Sequence, residues 1–214
     1  MIKEKLIIIG AGQLGNLVSN IIDKKKYEIF GFIDNDKKKI KKKINQIKVL
    51  GDDKYLSFIS PKKFGLVLCL GNIKSRIKFL SKVKKKNFRF PKIIDQNFRE
   101  FNNIKIGKGT IILSSVNILN NSNIGKFCVI GTNANILHDV NIGDNCIIGG
   151  GTNIGSNVTL KKNIFVGIGA VFASKKITVN DNSYICSGSV IFNNLSKNSK
   201  VIGNPARAIP QKNK

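Results

Sequence analysis

The sequence predicts two folds in series, an α/β domain followed by an all-β parallel β-helix. Two patterns predict them. In the first half, short apolar runs alternate with helix-like stretches. In the second half, an apolar residue returns at every sixth position, the signature of a solenoid whose coils stack on one another. The expected division is 1–103 and 104–214.

The first half opens with the apolar run Lys5–Ile9, suited to a buried parallel strand. Gly10-Ala-Gly-Gln-Leu-Gly15 follows, then a helical stretch from about Asn16 to Ile22. Ile29–Ile33 reads as a second strand ending at Asp34, and Gly65–Leu70 as a third ending at Gly71-Asn72. Apolar residues at Ile73, Ile77 and Leu80 predict a second helix. Phe90–Ile94 is expected to be a last strand. Cys69 falls inside the third strand and reads as a small buried hydrophobe.

In the second half, the residues at 106, 112, 118, 124, 130, 136, 142, 148, 154, 160, 166 and 172 are all apolar. Glycine follows at 107, 125, 131, 143, 149, 155 and 167. Four places after each apolar residue stands a small or β-branched one, such as Thr110, Cys128, Ala134 or Cys146. Three hexapeptides make one triangular coil, with the large residue inward and the small one filling the space beside it. Cys128 and Cys146 are therefore read as packing residues. Asn and Gly suit the left-handed backbone of corners. The phase slips by one near 173–178 and resumes at Val179, Ile185 and Ile191, so an inserted residue is expected there. About five coils result.

Composition bounds the function. The 37 Lys and Arg against 12 Asp and Glu give a formal charge of +25. Such a charge invites a nucleic-acid reading. However, the basic residues are 33 Lys and only 4 Arg in an Asn- and Ile-rich chain, which fits an AT-rich coding background. Residues 1–103 carry +16 of the charge, largely in Lys clusters between elements, and residues 104–214 carry +9. The expectation is no nucleic-acid partner but a surface that attracts anionic small molecules. No apolar run approaches the roughly 20 residues of a spanning helix, and the N-terminus lacks signal-peptide anatomy. Four Cys without a CxxC pair indicate neither a zinc site nor a disulfide framework. A cytoplasmic protein without metal is expected. The single His excludes any site that needs several His ligands, a β-helix carbonic anhydrase included.

The hexapeptide array and the tail Gly203-Asn-Pro-Ala-Arg207 resemble the left-handed β-helix acyltransferases. Adding the Rossmann-like half, with Gly10–Gly15 and Leu70-Gly-Asn72, the chain is similar to the NeuD and PglD type of sugar O- and N-acetyltransferases. The resemblance covers nearly the whole chain. It implies direct acetyl transfer from acetyl-CoA, without an acyl-enzyme, to an amino or hydroxyl group of a sugar, most simply a nucleotide-linked amino sugar. Sialic acid or a related sugar as an O-acceptor remains open. It also implies a homotrimer, with the cofactor lying between neighbouring β-helices.

The resemblance assigns residues as well. Ile136-Leu-His-Asp-Val140 matches a His followed by an acid, which makes His138 the general base and Asp139 the group that orients it. The plain readings are an exposed corner residue and a turn Asp. Acetyl-CoA is expected at Ser156, Gly167, Ile168 and Ser187, with Asn204, Pro205 and Ala206 near its nucleotide end. Gly167 is equally a repeat glycine and Ile168 equally a surface residue. The acceptor nucleotide or sugar is expected at Gly12, Gln13, Leu14, Asp34, Asn35 and Gly71. A glycine turn and a strand-ending acid would also suit NAD, so a nucleotide-binding protein with a β-helix oligomerisation tail stays as the reading of another class. A non-catalytic structural or nucleic-acid-binding trimer is a third. Arg76 matches a family Arg after Gly-Asn, or is a surface charge. One departure stands out: some relatives carry a second His nine residues after the first, where this chain has Ile147.

Overall fold

The computed structural model describes residues 2–99 and 101–210. The chain divides into two compact units, Met1–Ile93 and Ile94–Lys214. The sequence pattern puts this division ten residues later. The difference arises because the chain from Ile94 already bonds to the coils: the Asp95 N–H donates to the Ile112 carbonyl at 3.0 Å, and the Asp95 carboxylate accepts the Ser114 hydroxyl at 2.7 Å.

The first unit is built on β1 (Glu4–Ile9), α1 (Gln13–Ile21), β2 (Tyr27–Ile33), β3 (Lys43–Ile44), β4 (Ile47–Gly51), β5 (Phe64–Leu68) and α2 (Ile73–Val83). The sheet order is β3-β4-β2-β1-β5. Every pairing is parallel except that of the β3–β4 hairpin. From β1 the chain moves to one side of the sheet for β2 and later to the other for β5, so the crevice beyond the ends of β1 and its neighbours is a topological switch point. Leu6, Ile7, Ile8, Phe32, Leu66 and Leu68 are buried without exposure, as expected of strands covered on both faces. The β3–β4 hairpin is not foreseen from sequence. Its turn, Asn45-Gln46, has φ of +48° and +64°, the paired left-handed conformation of a tight hairpin, and the lysines around it hide the strand pattern.

Gly10, before α1, and Gly15, in its first turn, are fixed by space. A Cβ on Gly15 would overlap the Gly10 carbonyl oxygen. Gly10, at φ +104°, would place one 2.7 Å from the Cys69 carbonyl oxygen. Helix and strands therefore approach closely only because both residues lack a side chain. α1 begins at Gln13, three residues earlier than the pattern predicts, with Gly12 as its N-cap.

The second unit is a left-handed parallel β-helix with three sheets. Strands pair with a register of 18 residues, as in Asn117↔Asn135, Asn123↔Asn141 and Val129↔Ile147. The register is still 18 at Ile154↔Phe172 and is 19 from Val158↔Ile177 on, so the inserted residue lies between Phe172 and Ile177, where the phase slip predicts it. It shrinks to 16 at Tyr184↔Lys200, and Arg207–Ala208 then closes the ladder antiparallel to Lys200–Ile202. The inward column, including Ile112, Ile118, Ile130, Ile136 and Ile154, is fully buried. Burying each such side chain stabilises the unit by about 1.5–3 kcal/mol.

The small slot beside this column does more than fill space. The Thr110 hydroxyl donates to the Gly125 carbonyl at 2.8 Å and the Ser122 hydroxyl to the Leu137 carbonyl at 2.9 Å. The Cys128 and Cys146 thiols face the Gly143 and Lys161 carbonyls, each at 3.1 Å. Each corner carbonyl thus gains a buried partner.

Asn dominates the left-handed corner positions, for example Asn103, Asn121, Asn133, Asn145, Asn157 and Asn163. Their side chains also form ladders, as in Asn145 Nδ2 to Asn163 Oδ1 at 2.9 Å. The repeat glycines have a separate cause. A Cβ on Gly131 would lie 2.5 Å from the Gly150 nitrogen, and one on Gly125 2.6 Å from the Gly143 carbonyl carbon. Backbone of successive coils comes too close at these places for any side chain.

Candidate active site

His138 stands at the corner between strands Asn135–Ile136 and Asn141–Ile142. Its side chain is 54% exposed. Nδ1 lies 2.7 Å from Asp139 Oδ2. Asp139 has φ +60°, because it occupies the left-handed slot that Asn121 and Asn157 fill one coil before and after. The Asp139 N–H donates to the Asn120 carbonyl at 3.1 Å. The hydrogen bond with His138 holds the Asp139 carboxyl below its ordinary range, desolvation opposes this, and the Asn121 side chain adds to it. An ionised carboxylate only accepts, so Nδ1 carries the proton, which in the neutral ring leaves Nε2 as the basic nitrogen.

Ser156 lies one coil beyond His138 at the same corner, buried, with its N–H donating to Ser174 Oγ at 3.3 Å. The remaining expected acetyl-CoA contacts lie elsewhere. Gly167 and Ile168 follow strand Phe165–Val166, and Ser187 follows Tyr184–Ile185. They form a different corner of the prism, in two successive coils. A single β-helix therefore groups Gly167, Ile168 and Ser187 together but apart from His138.

This second corner is unusually bare. Its left-handed slot holds Gly151, Gly169 and Gly188, at φ +64°, +67° and +68°, and a Cβ on any of them would meet nothing within 4 Å. Ile168 beside them is 68% exposed. An open backbone flanked by an exposed apolar side chain suits a long, thin, partly apolar ligand chain. Asn204, Pro205 and Ala206 make the turn after strand Lys200–Ile202, with a cis peptide at Asn204–Pro205. The Ala206 N–H donates to the Val190 carbonyl at 2.9 Å, which ties the turn back to the last coil. Ile147 pairs with Val129 and Phe165 in an apolar row, so the structure offers no polar side chain at that position.

A cavity of about 510 Å³ opens in the first unit at the switch point. Asp34 and Asn35, after β2, line it together with Asp52, Asp53 and Lys54, after β4, and a face of α2. Gly12, Gln13 and Leu14, in the first turn of α1, and Gly71, which follows Leu70, do not line its wall. Asp34 is heavily engaged: Oδ2 accepts the Ala11 N–H at 2.8 Å and Lys39 Nζ at 3.1 Å, and Oδ1 accepts the Asp36 N–H at 2.8 Å. Burial alone would raise its pKa, but the N–H groups of Asp36 and Ala11 and the Lys39 ammonium hold the carboxyl below its ordinary range. Arg76 is not a surface charge. It is fully buried, and its Nη1 donates to the carbonyls of Leu68 and Leu70 at 3.1 and 3.0 Å. Nothing in the sequence marks Asp52 to Lys54 or the α2 face as cavity walls, since charged residues on a helix face look like ordinary solvated surface.

Residues 5–83 match the family model described as PglD N-terminal domain, and residues 121–156 match that of the bacterial transferase hexapeptide with six repeats. The two matches lie in series on the chain, the first in the α/β unit and the second in the β-helix. Among solved structures, it is similar to the acetyltransferase domain of PglB from Neisseria gonorrhoeae FA1090. The identity is 23% and the TM-score 0.89, over 97% of this chain and 100% of that one. PerB from Caulobacter crescentus, solved with CoA and GDP-perosamine, has 22% identity and a TM-score of 0.87, over 96% and 97% of the two chains. WeeI from Acinetobacter baumannii AYE has 22% identity and a TM-score of 0.83, over 95% and 99%. No curated protein sequence matches significantly. Among the described residues of this chain, no group of His, Cys, Asp and Glu could hold a metal ion, and no helix is long and apolar enough to cross a membrane.

Proposed function

We propose that this protein transfers an acetyl group from acetyl-CoA to the amino group of a nucleotide-linked amino sugar. The observation that carries the reading is the His138–Asp139 pair at 2.7 Å on an open corner of a hexapeptide coil. Likeness to solved structures bound to acetyl coenzyme A, and to CoA with GDP-perosamine, supports the substrate classes. Asp34 and Asn35 in the first unit's cavity are proposed to contact the nucleotide sugar, and the bare corner of Gly167, Ile168 and Ser187 to contact acetyl-CoA. The two corners lie apart in one chain, so the site needs a second copy. A homotrimer in which one subunit's His138 faces its neighbour's bare corner satisfies that need.

The chemistry is a direct displacement. The neutral amine attacks the thioester carbonyl while His138 Nε2 takes its proton. The new C–N bond forms, the C–S bond breaks, and the proton passes on to the departing CoA sulfur. Asp139 keeps Nδ1 protonated and the ring in place throughout. No thiol of the chain takes part.

The test is a panel assay of acetyl-CoA with nucleotide-linked amino sugars and sialic acid, run on the wild type and His138→Ala. Acetylated amino sugar from the wild type and a loss of about a hundredfold or more in kcat with His138→Ala are expected. Near-full activity of a folded His138→Ala protein overturns the mechanism. Activity on sialic acid alone replaces the acceptor.

A further inference from the structure

The amide ladders of the β-helix have a direction. At one corner, Asn145 Nδ2 donates to Asn163 Oδ1 and Asn163 Nδ2 to Asn182 Oδ1, at 2.9 and 3.1 Å. On one face, Asn117 Nδ2 donates to Asn135 Oδ1 and Asn135 Nδ2 to Asn153 Oδ1, at 2.9 and 3.0 Å. An amide inside such a ladder accepts from the coil before and donates to the coil after.

The ladder at the corner of His138 starts in the same sense. Asn103 Nδ2 donates to Asn121 Oδ1 at 3.2 Å. One coil on, the left-handed slot holds Asp139, and the Asn121 side chain hydrogen-bonds to its carboxylate. A carboxylate only accepts, so Asn121 Nδ2 is the donor. For the same reason Asp139 has no N–H to pass on to Asn157, and the ladder stops there. The carboxylate is thus held from the coil before by Asn121, while its Oδ2 meets His138 Nδ1 at 2.7 Å. The Asp139 side chain is 46% exposed, so packing alone does not lock its rotation. The same corner positions one coil before and after hold Asn120, Asn121, Ser156 and Asn157. None of them carries a charge that would compete for the carboxylate.

We propose that Asn121 is a positioning residue for acetyl transfer: its Nδ2 fixes the rotation of the Asp139 carboxylate, which in turn fixes the His138 ring and the proton on Nδ1. The inference rests on reading His138 as the base. It gives the amide ladder of this corner a use beyond stability, since it ends on the one acid that faces the ring.

The single His makes the test direct, because isotopic labelling of histidine nitrogen reports on one ring. In the wild type, with the ring neutral, the nitrogen shifts should show Nδ1 protonated and Nε2 bare. Asn121→Gly deletes the amide and keeps the left-handed backbone, which glycine already supplies at 151, 169 and 188. There the two tautomers should mix, and kcat should fall about fivefold with the KM for acetyl-CoA unchanged. Asn121→Asp keeps the shape but replaces the donor by a second carboxylate, and facing like charges repel, so its kcat should fall further. Asn163→Gly breaks the ladder at another corner, at φ +59°, and should leave tautomer and kcat as in the wild type. Thermal unfolding confirms that each variant folds. A fixed tautomer or an undiminished kcat in Asn121→Gly, or an equal loss in Asn163→Gly, would overturn the inference and leave His138 as the base. Full activity of His138→Ala would instead overturn the base, and the inference with it.

Discussion

His138 Nδ1 and Asp139 Oδ2 are 2.7 Å apart although the two residues are adjacent in sequence. Adjacent side chains on a strand point to opposite faces. Here the left-handed backbone of Asp139, at φ +60°, turns its carboxylate back toward the ring. The coil corner therefore creates the pair.

Asp139→Asn separates orientation from fold. Asn is the residue that fills this slot in the neighbouring coils at 121 and 157, so the thermal transition should stay within about 2 °C of the wild type, since a surface change away from strain or burial costs little. An amide cannot enforce the Nδ1–H tautomer as an anion does. The kcat for acetyl transfer should drop by about tenfold or more, with the KM for acetyl-CoA unchanged. An unchanged kcat would reduce Asp139 to a turn residue.

The two kinds of corner glycine should respond differently to alanine. In Gly131→Ala the methyl meets backbone of the next coil at 2.5 Å, and backbone in a stacked solenoid has nowhere to move. A cost of about 2–3 kcal/mol is expected, typical of overpacking. In Gly151→Ala the methyl meets nothing within 4 Å, and the cost is the left-handed φ of +64° alone, about 1 kcal/mol. Denaturant unfolding of both variants checks the order; the reverse order would refute this account of the repeat.

The β-helix was legible because its rule is one-dimensional: Ile106 to Phe172 repeat every sixth place, and each coil only needs its neighbours. The phase slip after Phe172 was legible for the same reason. The β3–β4 hairpin was not, since its strands are short and set among lysines, and its Asn-Gln turn lacks the usual glycine. At the candidate site, His138 stands out in the sequence as the chain's single His. That Asp34 spends its carboxylate on Ala11, Asp36 and Lys39 was not legible, because two of those partners are backbone groups that any residue would supply. The boundary moved for a similar reason, since Asp95 joins the coils through bonds that no hexapeptide pattern records.

Asp34 should make the stability of the first unit depend on pH. Its folded-state pKa lies below the ordinary value of 3.8, so its stabilisation is fully present above that value and is lost as pH falls through the folded pKa. Asp34→Asn should be less stable than the wild type at pH 7, and the gap should stay constant down to about pH 5 and close below 3.8. Urea unfolding followed across that range tests it. A gap that widens on acidification would mean that burial, and not the three donors, governs the carboxyl.

Thiol reactivity should pick out one cysteine of four. Cys69, Cys128 and Cys146 are buried and Cys186 is partly exposed. Burial pushes the Cys69 thiol up to about 12, with Arg76 acting in the opposite direction. Burial, and then its neighbour Cys128, push Cys146 well above the ordinary range. Buried neutral thiols lack both access and thiolate character. Native protein at neutral pH should therefore react with a thiol reagent once, at Cys186, and denatured protein four times. Cys186 is next to Ser187 on the bare corner, so saturating CoA should slow that single reaction if the donor lies there. A native count of three or four would mean that the coil interior opens readily, which the corner hydrogen bonds of Cys128 and Cys146 argue against.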